Sequence, residues 1–333
     1  MLICIFDSQE IKMNQLEENI SIFVGVVFIL VNFFGLPVNI MALVVLKKQA
    51  PGAPRLIDKI PISMCISNLI QMFPIYTITA VACLKAKWIF GMPLCYFMGF
   101  WVHTNANAAI WHLVLYAVEQ KRALCSGYCI NAAKRHMCRW KQYGALALVW
   151  GHGVFWSTVP FAGWAEYQFE GLNVSCSVAW EKTDPVSLSY TTCILLFNFV
   201  IPVTVIGYCY TKIFRGFKTH VKTVSASVGM AAQQSNRLRL RRLAAIGSFM
   251  TASFLFAWAP YAIVATITII TQKTVSPIAA TLPAVFGKCS VLIYPTIIVW
   301  KRTTLKFRLP ENSKQQASNL PSQKVSVREL PNS

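Results

Sequence analysis

The chain is 333 residues long, 55% hydrophobic and only 13% charged, with a formal net charge of +19. At a mean hydropathy of +0.50 it is too apolar for a soluble globule, in which polar faces would interrupt the apolar runs. In a soluble chain the positive charge would point to nucleic acid; here it falls in alternate loops between apolar runs, and no nucleic-acid partner is expected.

Read from the start, MLICIFDSQE has too short an apolar stretch and no basic flank for a cleavable leader. Residues 1–20 are expected to form an extracellular tail, with the first span acting as an uncleaved anchor. Seven apolar segments follow, at about 21–46, 60–84, 95–119, 142–164, 187–212, 243–270 and 277–300. Each is long enough for a bilayer core, which takes roughly 20 residues. The expected fold is an all-α membrane protein, a seven-transmembrane helix bundle over 21–308. The fourth and seventh segments are expected to be the least apolar, because they carry His152 and Lys288. Pro74, Pro160, Pro202, Pro260 and Pro295 fall inside spans, which predicts kinked helices around a cavity.

The loops give the orientation. Lys47, Lys48 and Arg55 follow span one; Lys121, Arg122, Lys134, Arg135, Arg139 and Lys141 follow span three. Arg215, Lys218, Lys222, Arg237, Arg239, Arg241 and Arg242 follow span five, and Lys301, Arg302, Lys306 and Arg308 follow span seven. The other loops hold few basic residues, with Glu166, Glu170, Glu181 and Asp184 among them. By the positive-inside rule the N-terminus is outside and the C-terminus cytoplasmic, in the plasma membrane. Residues 301–308, KRTTLKFR, suggest a short amphipathic helix on the inner leaflet, with Leu305 and Phe307 dipping into lipid. The polar tail 309–333 is expected to be disordered. Cys125 and Cys129 have no second pair for a zinc site, so no metal is expected.

Lys288 is the residue that asks for chemistry. It lies in TLPAVFGKCSVLIYPTIIVW, far from both ends of the last span, where an ammonium costs roughly 2.5–3.5 kcal/mol on insertion scales. One reading is a lysine paired with a buried acid or snorkelling to an interface. The other is an amine desolvated into a nucleophile toward an aldehyde. A cationic Schiff base would need a counter-charge. Asp58 and Glu119 sit at cytoplasmic span ends, and the tail acids lie outside the bundle. That leaves the loop after span four, where Glu170 lies just ahead of Cys176; a solvated loop acid is the bland alternative. Cys95 opens span three on the same side, and its pairing with Cys176 would draw that loop over the bundle mouth. Trp258 and Tyr261 flank Pro260 on span six, and with Phe197 and Phe199 on span five they offer aromatic faces to a flat polyene, although such residues are ordinarily packing. His103 and His112 read as neutral core histidines, and only His103 is near enough to tune a pocket.

These residues resemble the opsin branch of the rhodopsin-like G-protein-coupled receptors. The resemblance covers Ile22 to Phe307: GLPVN with Asn39, WIFGMPLC ahead of span three, Trp150 and PFAGW, FVIPVTVIGYCY with Pro202 and Tyr210, Trp-Ala-Pro-Tyr, and the Pro-Ala-x-Phe-x-Lys block holding Ala284 and Lys288. It implies covalent retinal on Lys288 beside Ala284. Met98 stands where vertebrate visual opsins place a span-three counterion, and Glu170 matches the lid-loop glutamate of many invertebrate and non-visual opsins. The chain thus resembles the peropsin, neuropsin and retinochrome-like groups. The G-protein-facing residues implied are Glu119, Gln120 and Tyr210. Glu119-Gln120-Lys121 stands where the family has Asp/Glu-Arg-Tyr, Tyr294-Pro295 replaces Asn-Pro-x-x-Tyr, and Asn68 replaces the span-two Asp.

The leading expectation is a light-sensing receptor, not an enzyme, that works with a heterotrimeric G protein and arrestin in a lipid bilayer. The alternatives are a retinal photoisomerase or retinoid-binding opsin with weak or no coupling, and a receptor for a diffusible ligand in which Lys288 binds an anion.

Overall fold

The computed structural model describes residues 13–49, 54–126, 138–223 and 230–307. The expected disordered tail, Cys129 and much of the basic loops fall outside them. Span one is α1 (Gln15–Gln49), which begins inside the stretch expected as a tail. Span two is α2 (Leu56–Ile70), a π-helical turn (Gln71–Tyr76) and α3 (Thr77–Leu84). Span three is α4 (Met92–Ser126), and span four is α5 (Arg139–Thr158) with a 3-10 turn (Val159–Ala162). A hairpin of β1 (Tyr167–Glu170) and β2 (Ser175–Val178) follows. Span five is α6 (Pro185–Leu195), a second π-helical turn (Leu196–Val200) and α7 (Ile201–Thr223). Span six is α8 (Met230–Thr271), and span seven is α9 (Pro277–Lys288) and α10 (Ser290–Phe307). Residues 301–307 continue α10 without a break, so the expected separate amphipathic helix is instead the end of the last span's own helix.

Helices solve the problem that a bilayer poses, since every backbone N–H and C=O finds its partner within one segment. Six of the seven are long and apolar enough to cross a membrane, from a hydropathy of 2.4 for Gln15–Lys48 to 1.2 for Arg139–Ala162. The exception among the described residues is span three, whose middle carries His103, Asn105, Asn107 and His112. Span four is weak as expected, but span seven reaches 1.7, because one lysine is outweighed by its aliphatic neighbours. Large apolar side chains such as Phe33, Phe73, Leu148 and Phe256 are exposed, while Asn39, Asn68, Asn105 and His112 are buried. That inversion suits a bundle in lipid, where polar side chains join helices together.

The prolines explain what those polar groups do. Pro295 has no N–H to offer Val291, four residues earlier. The freed Val291 carbonyl accepts from Asn39 Nδ2 at 3.2 Å and Asn68 Nδ2 at 3.1 Å, and Asn68 Nδ2 also donates to Asn39 Oδ1 at 3.1 Å. Spans one, two and seven are thereby joined at one carbonyl. Pro74 lies inside the first π-helical turn, and Pro202 is the second residue after the other; a wide turn accommodates the ring that a regular α-turn would clash with.

Candidate functional site

The hairpin is positioned first. Its strands pair antiparallel, with Phe169 opposite Cys176 and Glu170 opposite Ser175. Cys176 is disulfide-bonded to Cys95 at the start of span three. Tyr167 Oη donates to the Ser157 carbonyl at 2.8 Å. On the other side Gly171 takes φ +55° and lies so close to span seven that an added Cβ would be 2.7 Å from the Pro277 carbonyl. Leu172 N–H then donates to Thr281 Oγ1 at 3.1 Å. The hairpin is fastened to span three by a covalent bond and to span seven by close packing.

Glu170, at the end of β1, is 3% exposed and Lys288 is 9% exposed. Lys288 Nζ donates to Glu170 Oε2 at 3.0 Å. The other carboxylate oxygen accepts from Trp180 Nε1 at 3.2 Å. The lysine is thus held by an acid, and that acid comes from the hairpin and not from any span. Removing one partner from such a pair costs roughly 3–5 kcal/mol. The remaining loop acids are otherwise engaged. Glu166 pairs with Lys182, and Asp184 caps α6 by accepting from Val186 N and Ser187 N. Glu181 is half-buried; burial, and then the nearby Glu170 charge, push its carboxyl up to about 7, against the Gly171 N–H that pulls it down.

The backbone beneath Lys288 is held as well. α9 ends at Lys288 and Leu292 N–H bonds to Cys289 rather than to Lys288. The Lys288 carbonyl instead accepts from Tyr76 Oη at 2.9 Å, and Tyr76 in turn accepts from Gln71 Nε2 at 2.6 Å. Asn105 donates to Gln71, and Ser67 Oγ donates to Asn105 Oδ1 at 2.6 Å. A chain of side chains from spans two and three therefore fixes the place where the lysine leaves its helix.

Lys288 opens into a cavity of about 140 Å³ between spans three, five, six and seven, closed at one end by the hairpin. Glu170, His103, Phe199, Trp258, Tyr261 and Ala284 all line it. Trp258 packs on Gly287, where an added Cβ would be 3.0 Å from its ring, and donates Nε1 to Ser290 Oγ at 3.2 Å. Tyr261 is edge-on to Trp258, with centroids 5.8 Å apart, and lies 5.1 Å from Trp180. Phe197, expected beside Phe199, is not part of the lining; it packs on Trp156, 5.6 Å away. The π-helical turn runs through both residues and breaks the phase that would have put them together. His103 Nε2 is 2.9 Å from Tyr190 Oη, whose proton goes to the Trp156 carbonyl at 2.7 Å. The histidine must therefore be the donor, with its proton on Nε2.

Glu119, Gln120 and Tyr210 gather at the opposite end. Glu119 Oε1 accepts from Arg122 at 2.6 Å. Gln120 is buried, and a Cβ added at Gly247 of span six would be 2.5 Å from its Oε1 and 2.6 Å from Tyr210 Oη. Gly247 lets span six close tightly on spans three and five.

A family model described as 7 transmembrane receptor (rhodopsin family) matches residues 38–297. The chain belongs to that family. This rhodopsin-family receptor is 28% identical over 301 residues to a rhodopsin of Enteroctopus dofleini, spanning 87% of this chain and 63% of that one. Over 230 residues it is 28% identical to the visual pigment-like receptor peropsin of Homo sapiens, spanning 67% of this chain and 64% of that protein. A rhodopsin of Todarodes pacificus is 29% identical over 241 residues, 69% of this chain and 52% of the relative. The chain spans between about half and just under two thirds of the length of these relatives. The crystal structure of squid rhodopsin shares the fold, with a TM-score of 0.75 at 21% identity and coverage of 94% and 95% of the two chains. The family model and the shared fold agree on a seven-helix receptor that crosses the membrane several times.

Tyr76, Trp180, Gly171 and Thr281 were missed in the sequence. Only Trp180 carried a signal there: an indole in a loop between acids needs an acceptor once buried.

Proposed function

We propose that this receptor senses light through retinal bound covalently as a Schiff base on Lys288, with Glu170 as counterion. The observation that carries the reading is the buried 3.0 Å pair of Lys288 and Glu170 at the wall of an aromatic-lined cavity. The residues fit the group: a primary amine for the aldehyde, a carboxylate beside it for the cation, and Trp258, Tyr261 and Phe199 for the polyene. When bound, the chromophore supplies light absorption and isomerisation. Glu170, oriented by Trp180, balances the positive nitrogen, and Tyr76 holds the attachment point still. Ala284 leaves room beside the lysine, and His103, bonded to Tyr190, contributes a neutral polar wall.

The positive-inside rule supports a Gln120 end on the cytoplasmic side of the plasma membrane, with the hairpin outside. Residues 1–20 then lie outside, 21–308 form the receptor bundle, and 309–333 lie inside. A heterotrimeric G protein docks where Gln120, Tyr210 and Gly247 hold spans three, five and six together, once span six swings outward; arrestin uses the same end. Purified protein reconstituted with 11-cis and all-trans retinal tests the reading. It should gain a visible absorption band that shifts on illumination and is absent in Lys288→Ala. Glu170→Gln should lose that band at neutral pH, and illumination should drive nucleotide exchange on a Gα subunit. Uptake of no retinoid, in light or darkness, overturns it.

A further inference from the structure

Two cations meet at one ring at the Gln120 end of the bundle. Lys121 Nζ, from the end of span three, lies 4.7 Å from the centroid of the Tyr208 ring. Lys212 Nζ, one turn beyond Tyr208 on span five, lies 5.8 Å from the same centroid. Tyr208 is 54% exposed, and Lys212 is exposed as well. The face of the ring attracts each ammonium, but two like charges gathered on it repel one another. Among the described residues neither lysine meets a carboxylate.

The chain supplies no acid for them. The stretches that face inward by the positive-inside rule hold only Asp58, Glu119, Glu311 and Glu329. Asp58 pairs with Arg55 and Glu119 with Arg122. The tail that carries the other two acids also carries Lys314, Lys324 and Arg328, so it is itself basic. An anion that neutralises the pair has to come from outside the chain. The surroundings say what kind. Thr204, Tyr208, Thr211 and Lys212 recur at helical spacing on one exposed face of α7, and Val200, further up the span, is exposed too. Gly207 lies beside the ring, and nothing stands within 4 Å of a Cβ added there, so an acyl chain can lie along the helix. α4 packs against α7, so the two lysines reach the shared ring from neighbouring helices. Anionic lipids are concentrated in the cytoplasmic leaflet, and basic pockets between spans take their headgroups.

We infer that Lys121, Lys212 and Tyr208 form a binding site for the phosphate of an anionic phospholipid at the junction of spans three and five. The inference rests on the inward orientation of this end and not on retinal. A headgroup bridging the two lysines ties spans three and five together next to Gln120, on which Gly247 of span six closes. To test it, the full chain is reconstituted in mixed vesicles of phosphatidylcholine and phosphatidylserine, released in detergent, and read by native mass spectrometry for the lipid it retains. It should keep phosphatidylserine in preference to phosphatidylcholine. Lys121→Gln with Lys212→Gln should lower that preference about 25-fold, roughly fivefold for each lysine near an anionic surface. Lys47→Gln with Lys48→Gln removes the same charge from the end of span one and should leave the preference as it is. Glycerophosphoserine, the headgroup without its chains, should not displace the lipid; displacement by it would assign the site to a soluble phosphate and overturn the inference. Equal retention of the two lipids by the wild-type chain, a comparison that needs no variant to fold, also overturns it, as does an equal loss in the Lys47 and Lys48 variant. So does a Lys121 and Lys212 variant that keeps its lipid but loses binding of a polyglutamate peptide, which would give the lysines to a protein partner. None of these outcomes touches attachment of retinal at Lys288.

Discussion

Gly171→Ala perturbs the hairpin at its contact with span seven and tests how the carboxylate is held. At φ +55° an alanine pays roughly 1–2 kcal/mol for the left-handed backbone. Its Cβ, 2.7 Å from the Pro277 carbonyl and closer still to Thr281 Oγ1, also displaces the hydroxyl that accepts from Leu172 N–H. Losing that bond costs roughly a further 0.5–1.5 kcal/mol. The combined effect of about 1.5–3.5 kcal/mol raises the undocked population of the turn roughly 10- to 400-fold. Cys176 still holds the other strand, so the loosening is confined to the span-seven side. Hydrogen exchange of the Leu172 and Asn173 amides should accelerate by that factor, while β2 amides change less. Gly163→Ala is the control: φ is +90°, but no atom lies within 4 Å of the added Cβ, so it carries backbone strain without collision and should leave hairpin exchange as it is. Unchanged exchange in Gly171→Ala, or equal acceleration in both variants, would refute the docking argument.

Three further outcomes are expected. Trp180→Phe removes the indole donor to Glu170 Oε1 but keeps a ring against Tyr261; stability should drop by roughly 1.5–3 kcal/mol, and by less in a Glu170→Gln background, whereas strictly additive thermal shifts would mean the bond contributes nothing. Glu181 is raised to about 7 from the ordinary 4.5, so the folded protein binds a proton that the unfolded chain releases between those values. Stability should therefore fall as pH rises from about 4.5 to about 7; Glu181→Gln should flatten that part of the melting-temperature profile, and an identical slope in the variant would contradict it. Reducing the Cys95–Cys176 bond, or making Cys176→Ala, frees a loop closed over 81 residues and should cost roughly 2–5 kcal/mol by thermal unfolding; a reductant that leaves the midpoint unmoved would count against the bond.

The spans were readable because each buries its backbone within one continuous apolar run, so topology follows from local composition. Lys288 stood out for the same reason: a charge in such a run is costly and visible. Glu170 was within reach because the chain holds only 12 acids, few enough to be weighed one at a time. What holds these two residues was not legible. Tyr76 meets the Lys288 carbonyl across 212 positions and Asn39 meets Val291 across 252, and no local pattern announces a side chain that serves a distant carbonyl. The π-helical turns hid Phe197's direction, because the helical period carried through Leu196–Val200 assigns the wrong face. Span three looked ordinary as a run of letters, yet it is the polar seam on which the side chains of span two converge.

The carboxylate nearest Lys288 rides on a strap tied at one end to span three and braced at the other on span seven. Any sliding of those two helices past one another must therefore drag the negative charge relative to the amine, although neither residue need change its rotamer. Distance between cation and anion becomes a gauge of how the bundle is set.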